Sequence, residues 1–296
     1  MTEAEPPPVP VRRWPMIVAG ALTLLMIAGL ARQLLNDGLT GLWRDLPTDP
    51  RFYGAFVLLY ISPILFDWLI FNRLWGLSRA GIAPLVRKRV ANDVVVGYSG
   101  EAYFYAWARA RPDLVAAPFG AVKDVTILSA IAGNVVTLAV LAAALPAARG
   151  LLTPEQFRLV VISAAVTLAM SLPFLVFARR VFTLPRATLT WIGGMHTARI
   201  LAGSLLIALA WHFALPDVAL AMLLFLAAAR LLVSRLPFVP NKDLVFANLA
   251  ILLIGKGAAL SDVVAFTAAL TLAVHVALIA GFGGRSLVSR AQSASV

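Results

Sequence analysis

Long runs of apolar residues, separated by short polar segments, dominate the pattern of this 296-residue chain. A helix needs about 20 mostly apolar residues to cross the hydrocarbon core of a bilayer, and several runs reach or approach that length. The pattern predicts an all-α polytopic membrane protein with about seven transmembrane helices. The predicted spans are 15–35, 52–71, 121–146, 157–178, 189–213, 217–235 and 260–282.

Two further stretches, 84–111 and 236–256, are helical in pattern but are interrupted by glycine, proline and charged residues. Each of them follows two predicted spans and precedes another span, so the chain divides into two halves of similar layout. Interrupted segments at matching places of two halves are the best pointer in a sequence to the substrate site of a transporter. The layout predicts two broken or re-entrant helical segments and two inverted repeats. The alternative is a series of hydrophobic helices that only looks periodic.

The polar ends of the chain are predicted to lie outside the membrane. Residues 1–14 are predicted to form a disordered cytosolic tail, 15–285 a single transmembrane domain, and 286–296 a flexible C-terminal tail. With a cytosolic N-terminus, most Lys and Arg residues fall on segments that face the cytosol, as the positive-inside rule requires. This assignment assumes that neither interrupted stretch crosses the bilayer, and the side of the C-terminus depends on that assumption. The predicted location is the inner (cytoplasmic) membrane of a bacterium.

Composition supports the membrane assignment and excludes several classes of function. The chain is 61% hydrophobic and 13% charged, whereas a soluble domain has about a quarter of its residues charged. The net charge of +11 is typical of positive-inside topology and contact with anionic lipids, and no nucleic-acid-binding motif accompanies it. The chain has no cysteine, and its three histidines are far apart in sequence, so no disulfide, metal site or cofactor is predicted.

The segment Val96 to Arg111 combines glycines, aromatic residues and charges among apolar spans. In a helix that starts near Gly100, Glu101, Tyr105 and Arg109 are spaced i, i+4 and i+8 and share one face. They are therefore candidates to border a substrate cavity. The same pattern fits an interfacial amphipathic helix with solvated charges and an aromatic belt, and the sequence leaves both interpretations open.

The segment Leu236 to Asp243 contains two prolines, which stop the preceding helix. Asn241 or Asp243 can cap a short helix that continues to about Gly255. The N-terminus of such a half-helix presents unpaired N–H groups to an anion, and Lys242 adds a full positive charge. A phosphate site is therefore one interpretation, and an ordinary cytosolic turn is the other.

Ionisable residues inside or beside predicted spans form a third group of candidates, because charge inside a bilayer is costly and usually serves a function. Arg230 lies in the sixth predicted span, and Lys123 and Asp124 open the third. Asp67, in the second span, is the candidate for proton coupling. The basic run Arg87 to Arg89 is predicted to be a cytosolic cluster that orients the chain and attracts anionic lipid.

The two interrupted segments also carry a family resemblance. The pair Gly100 and Glu101 follows a basic stretch, and Leu236–Pro237 with Pro240 precedes a short helix, the loop from Gly255 and the last span. In these features the chain resembles the integral membrane proteins related to the transmembrane region of lysylphosphatidylglycerol synthases, a group of flippase-like lipid translocators of bacteria. The resemblance covers most of the chain in layout and implies two related halves, re-entrant helices and lipid translocation without a catalytic domain.

The chain departs from the pattern of that family at several positions. Asn241 and Lys242 stand where the family has glycines after the second proline, and Ala247 and Asn248 stand where an acidic residue is expected. The proline expected before the Gly-Glu pair is also missing. These departures put in doubt whether the second segment forms the glycine-rich turn of that family.

The leading interpretation is a translocator of a phospholipid or lipid-linked substrate, with a polar central cavity for an anionic headgroup. The candidate substrate-binding residues are Glu101, Tyr105, Arg109, Lys123, Asp124, Arg230, Asn241 and Lys242. Anionic membrane lipids are expected to bind as well, and a partner enzyme or a second copy of the chain is a further candidate partner. The alternatives are an integral membrane transferase that modifies lipid and a partner-binding membrane scaffold. No Ser/His/Asp set or nucleotide-binding loop supports an enzyme.

Overall fold

The computed structural model describes residues 46–94, 98–111, 118–148, 181–235, 242–254 and 259–294, together with isolated positions between 154 and 169. The described residues form helices and no β-strand. A short 3-10 turn, Arg79–Gly81, precedes the second helix. The helices are α1 (Pro50–Trp75), α2 (Ile82–Val94), α3 (Ser99–Arg109), α4 (Pro118–Ala148), α5 (Arg186–Ala214), α6 (Leu220–Ser234), α7 (Lys242–Ile254) and α8 (Ala259–Ala294).

The sequence around α1 explains why this helix begins and ends where it does. The side chain of Asp49 caps the N-terminus by accepting a hydrogen bond from the Arg51 backbone N–H, and Pro50 occupies the first turn, where its missing N–H costs nothing. At the other end Gly76 adopts a left-handed conformation (φ 64°), and its N–H donates to the Asn72 carbonyl. A residue with a side chain is strained in that conformation, so glycine ends the helix cleanly.

Four helical segments are long and apolar enough to cross a membrane: Pro50–Trp75, Pro118–Val140, Arg186–Ala214 and Ala259–Phe282. These segments match four of the predicted spans, and they support a membrane-embedded protein. The predicted span 217–235 appears as α6, which has 15 residues. At about 1.5 Å per residue it is roughly 22 Å long, shorter than the hydrocarbon core of about 30 Å. The count of about seven spans and the inverted repeats remain predictions.

Several predictions fall on residues that the structure does not describe. The predicted span 15–35 and the tail 1–14 lie outside the described residues, and only isolated positions of 157–178 are described. Asn241 also lies outside them. At the C-terminus, α8 continues to Ala294, through the segment for which the sequence predicts a flexible tail.

Helix α5 lies at the centre of the packing. It packs most extensively against α1, and it also contacts α4, α6 and α8. One apolar cluster, which includes Phe52, Trp211 and Leu223, joins the first half of α1 to α5, α6, α7 and α8. A second cluster, which includes Phe71 and Phe104, joins the last turns of α1 to α2 and α3. The first interrupted segment therefore packs against α1, whereas the second packs mainly against α8 and α6 and reaches α1 through the first apolar cluster.

Candidate functional site

A very close crossing of α2 and α3 places the first charged residues of the site. Gly100 in α3 lies directly against the backbone of α2. A Cβ at this position would overlap the Lys88 carbonyl and the Asn92 side chain. The Gly100 N–H donates to Asn92 Oδ1 (2.7 Å), and the Ser99 hydroxyl donates to the Ala91 carbonyl (2.8 Å). Glycine is thus required for the approach, and the next residue, Glu101, is held over α2.

Lys88 is the centre of a buried group of charges. Its ammonium nitrogen lies 2.6 Å from Asp67 Oδ2 in α1 and 3.4 Å from Glu101 Oε1 in α3. The Lys88 side chain is only 8% exposed. Burial alone lowers the pKa of Lys88, but the charges of Asp67 and Glu101 outweigh burial and raise that pKa above its usual value. The Lys88 ammonium therefore connects three helices, and its two carboxylate neighbours favour its charged form.

Arg199 of α5 completes this group on the opposite side of Asp67. Its guanidinium lies 3.0 Å from Asp67 Oδ1 and donates to the Ser129 hydroxyl of α4 at 2.8 Å. His196, one turn earlier in α5, is 1% exposed. We call Asp67, Lys88, Glu101 and Arg199 the central charge cluster. Two cations and two carboxylates balance one another in it.

Two further ion pairs lie near this cluster, and each involves an interrupted segment. Arg230 of α6 binds Asp243 of α7 at 2.7 Å. Arg89 lies 3.7 Å from Asp93 on the same face of α2, and its guanidinium stacks over the Tyr60 ring. A cavity of about 10 Å³, the room of roughly one water molecule, adjoins the Arg230–Asp243 pair. In this conformation the polar interior is closed around its own side chains.

Asp93 has a second neighbour, His275 of α8, whose Nε2 lies 3.3 Å from Asp93 Oδ2. His275 is 1% exposed, and its ring lies 5.5 Å from the ring of Tyr60. A carboxylate, an imidazole and a phenol therefore meet where α1, α2 and α8 pack together. This contact connects the first interrupted segment to the last long helix.

Arg235 and Lys242 are different, because neither has a carboxylate within 4 Å among the described residues. The Arg235 guanidinium donates to the Ser234 hydroxyl and lies tightly against Gly133 of α4, and a side chain at position 133 would overlap it. The Lys242 ammonium donates to the Ser234 backbone carbonyl at 2.6 Å. Burial and then the charge of Arg199 lower the pKa of Arg235 to about 10. Burial and then the charge of Arg235 lower the pKa of Lys242 to about 8.

The structure places Lys123 and Asp124 in a separate arrangement. Asp124 is fully buried, and its Oδ2 accepts hydrogen bonds from the Thr183 N–H, the Thr183 hydroxyl and the Leu184 N–H at 2.7–2.9 Å. The Lys123 ammonium donates to the Val181 carbonyl at 2.6 Å. Both side chains thus fix the segment that leads into α5. Their partners are backbone groups, a hydroxyl and each other, since the Lys123 ammonium also lies 3.5 Å from Asp124 Oδ1.

The remaining predicted residues on α3 divide along the length of the helix. Glu101 joins the central charge cluster, whereas Tyr105 packs its ring edge-to-face with Phe119, 5.8 Å away. Arg109, eight residues after Glu101, is exposed at the end of the helix, roughly 12 Å along its axis. The three residues share a face as predicted, but only Glu101 belongs to the cluster.

Sequence reasoning missed the roles of three cations. Lys88 was expected in a solvated cytosolic run, yet it is buried, while its neighbour Arg87 stacks over Phe282. Lys88 lies three residues after the apolar Leu85, which is buried, and residues three apart share a helix face. This spacing could have predicted that Lys88 faces the protein interior. For Arg199 and Arg235 no local pattern identifies the partners, which come from distant helices.

Comparison with known proteins does not identify a family. No protein-family model matches this chain, and neither a curated protein nor a solved structure shows significant similarity to it. Among the described residues, no group of three or more histidine or acidic side chains is placed to hold a metal ion. The function is therefore argued from the geometry of the charged residues.

Proposed function

We propose that this protein translocates a phospholipid or lipid-linked substrate with an anionic headgroup across the inner membrane of a bacterium. The observation that carries the proposal is the central charge cluster, which joins Asp67 of a candidate membrane span to Lys88 and Glu101 of the first interrupted segment. Ionisable groups inside a bilayer are costly, and they usually mark a substrate or ion pathway.

The position of the second interrupted segment supports the same proposal. Lys242, the first residue of α7, is close enough to Asp93 and Glu101 for their charges to act on its ammonium. The two interrupted segments thus place opposite charges in one region. Cations there attract an anionic headgroup, while the carboxylates and Arg199 provide alternative ion-pair partners when the headgroup leaves.

Lipid tails require an apolar surface beside the polar path. Helix α1 exposes Val57, Leu58, Ile61 and Leu65 to its surroundings. An apolar groove of about 310 Å³ lies between α2, α3 and α8, with Arg87 at its rim. In the proposed mechanism the tails stay on such surfaces while the helices of the two halves rock apart and the headgroup crosses between them.

Asp67 is the proposed site of proton coupling. Its two oxygens hold Lys88 and Arg199 in place at 2.6 and 3.0 Å. Protonation of this carboxylate would release both cations at once, which would loosen the contact between α1, α2 and α5. A proton gradient is thus one source of energy for the rocking motion; a lipid gradient is the other.

The test is transport of a fluorescent phosphatidylglycerol in proteoliposomes, measured as the fraction that a membrane-impermeant quencher cannot reach. Glu101→Gln and Lys242→Ala are expected to slow translocation at least tenfold, because each removes a charge of the polar path. Arg186→Gln is the matched control, since Arg186 is exposed and in no described ion pair. If both test variants translocated lipid as fast as the wild type, Glu101 and Lys242 would not belong to the substrate path.

A lipid-modifying transferase is the second candidate, and the contact between His275 and Asp93 favours it. A carboxylate beside an imidazole is the arrangement that general acid–base catalysis uses. This candidate predicts a lipid of altered mass after incubation of the protein with lipid and group donors. Unaltered lipid masses together with normal translocation would favour the translocator.

A further inference from the structure

Among the residues that the structure describes, two partly buried cations, Arg235 and Lys242, lack an acidic side chain within 4 Å. Asp67 and Glu101 balance Lys88 and Arg199 in the central charge cluster. The flanking pairs Arg230–Asp243 and Arg89–Asp93 are balanced as well. Arg235 and Lys242 remain, and their contacts in the described part of the chain are with a hydroxyl and a backbone carbonyl.

These two residues are neighbours, because Ser234 binds both. Its hydroxyl accepts from the Arg235 guanidinium, and its carbonyl accepts from the Lys242 ammonium. After burial, the charge of Arg235 is the largest cause that lowers the pKa of Lys242, and the more distant carboxylates of Asp93, Asp243 and Glu101 offset it only in part. Two like charges brought together and shielded from water destabilise the protein unless an anion offsets them.

Gly133 leaves room for the Arg235 side chain beside α4. In this structure the guanidinium lies against the α4 backbone, in space that a Cβ at position 133 would occupy. Arg235 presents a planar fork of donors that matches a phosphate, and Lys242 presents a point charge beside it. The two cations thus lie close together on the same serine, where one anion could contact both.

We infer that Arg235 and Lys242 form a binding site for a phosphate monoester, either free in solution or at the head of a lipid. Two cations require close to two negative charges. A phosphate monoester carries about −1.5 to −2 at pH 7, whereas a phosphodiester or a carboxylate carries about −1. The inference rests on the proposed function only in treating this site as part of the headgroup path.

The first experiment uses the wild-type full-length protein in a neutral detergent at constant ionic strength. The measured quantity is the shift of the thermal unfolding midpoint with inorganic phosphate and, in a parallel titration, with dimethyl phosphate. A ligand that binds only the folded state raises the midpoint. Inorganic phosphate is expected to bind at least tenfold more tightly. Equal effects of the two anions, or no effect of either, would overturn the inference.

A second pair of titrations distinguishes the two sources of the phosphate. Phosphatidic acid is compared with diacylglycerol, which has the same tails and no phosphate. Stabilisation by phosphatidic acid at concentrations far below those needed for inorganic phosphate assigns a lipid ligand. Stabilisation by inorganic phosphate with no further gain from phosphatidic acid assigns a soluble one. If diacylglycerol matches phosphatidic acid and inorganic phosphate has no effect, the site does not bind phosphate.

Variants then locate the binding. Arg235→Gln and Lys242→Gln are each expected to weaken phosphate binding roughly tenfold to a hundredfold, because each loses a charged hydrogen bond. Lys242→Arg is expected to retain binding, and the exposed Arg186→Gln serves as the control for net charge. Binding that survives Arg235→Gln together with Lys242→Gln would place the anion elsewhere.

These measurements test the phosphate site and the proposed function separately. If the protein binds phosphate at Arg235 and Lys242 but translocates no lipid, the site is supported and the translocator is contradicted. If the wild-type protein translocates lipid but does not bind phosphate, the translocator is supported and the site is contradicted.

Discussion

Removal of the Asp67 charge is the most direct test of the balance in the central charge cluster. Asp67 is 2.6 Å from Lys88 and 3.0 Å from Arg199, and its side chain is 11% exposed. In Asp67→Asn, two buried cations remain beside a single carboxylate, Glu101, which lies 3.4 Å from Lys88. Because an uncompensated buried charge costs about 3–5 kcal/mol, the free energy of unfolding is expected to fall by about that amount.

A second substitution, at Arg199, restores the charge balance of the central charge cluster when it is combined with Asp67→Asn. Arg199→Met alone leaves two carboxylates beside Lys88 and is expected to cost about 3–5 kcal/mol as well. In the double variant Asp67→Asn with Arg199→Met, the neutral pair of Lys88 and Glu101 remains. Its cost is expected to be smaller than the sum of the two single costs by about 2–3 kcal/mol, the upper range for contacting residues.

Reversible unfolding in mixed micelles with increasing SDS, followed by the fluorescence of the seven tryptophans, measures these free energies. Arg186→Met is the control, since it removes an exposed arginine and is expected to change the stability by less than about 0.5 kcal/mol. The reasoning would be refuted if the double variant lost the sum of the two single losses to within about 0.5 kcal/mol.

Three further predictions concern other parts of the site. Gly100→Ala is expected to destabilise the protein by about 1–3 kcal/mol, because the added methyl overlaps the Lys88 backbone; a neutral effect in thermal unfolding would contradict the close crossing. Asp124→Asn is expected to lower stability by about 1.5–3 kcal/mol while the folded fraction still transports lipid, and a specific loss of transport would place Asp124 in the path. Phosphate affinity is expected to fall as pH rises through about 8, where Lys242 loses its proton, and titrations from roughly pH 7.5 to 9.5 should show a flat profile for Lys242→Arg.

The membrane helices were predictable because the information is local. Apolar runs of sufficient length, with Pro50 at the start of α1 and Gly76 after its end, fix the extent of that span from neighbouring residues alone. The interruption of 84–111 was predicted for the same reason, and it separates α2 from α3. The exact ends were less predictable, because the start of α5 depends on the contacts that Lys123 and Asp124 of α4 make with residues 181–184.

The partners of the charged residues were much less predictable. Glu101 was expected to face a polar site, and it contacts Lys88. However, Lys88 looked like part of a solvated basic run, because a sequence shows three adjacent charges without showing which one faces inward. Asp124 looked like a substrate residue, but it binds backbone groups 59 and 60 residues away, and such contacts depend on tertiary packing that no local pattern encodes.

The wide spacing of the Asp67 partners along the chain has a consequence for synthesis. Lys88 follows Asp67 by 21 residues, but Arg199 follows by 132. At roughly 5–20 residues per second, the ribosome takes about 7–26 s to reach Arg199. During that time Asp67, eight residues before the end of α1, lacks this partner, and an aspartate at the very centre of a membrane helix would cost about 2.5–3.5 kcal/mol to insert. The most apolar 18-residue stretch of α1 has a mean hydropathy of 1.9, which offsets this cost, so the helix can enter the bilayer before its second partner exists.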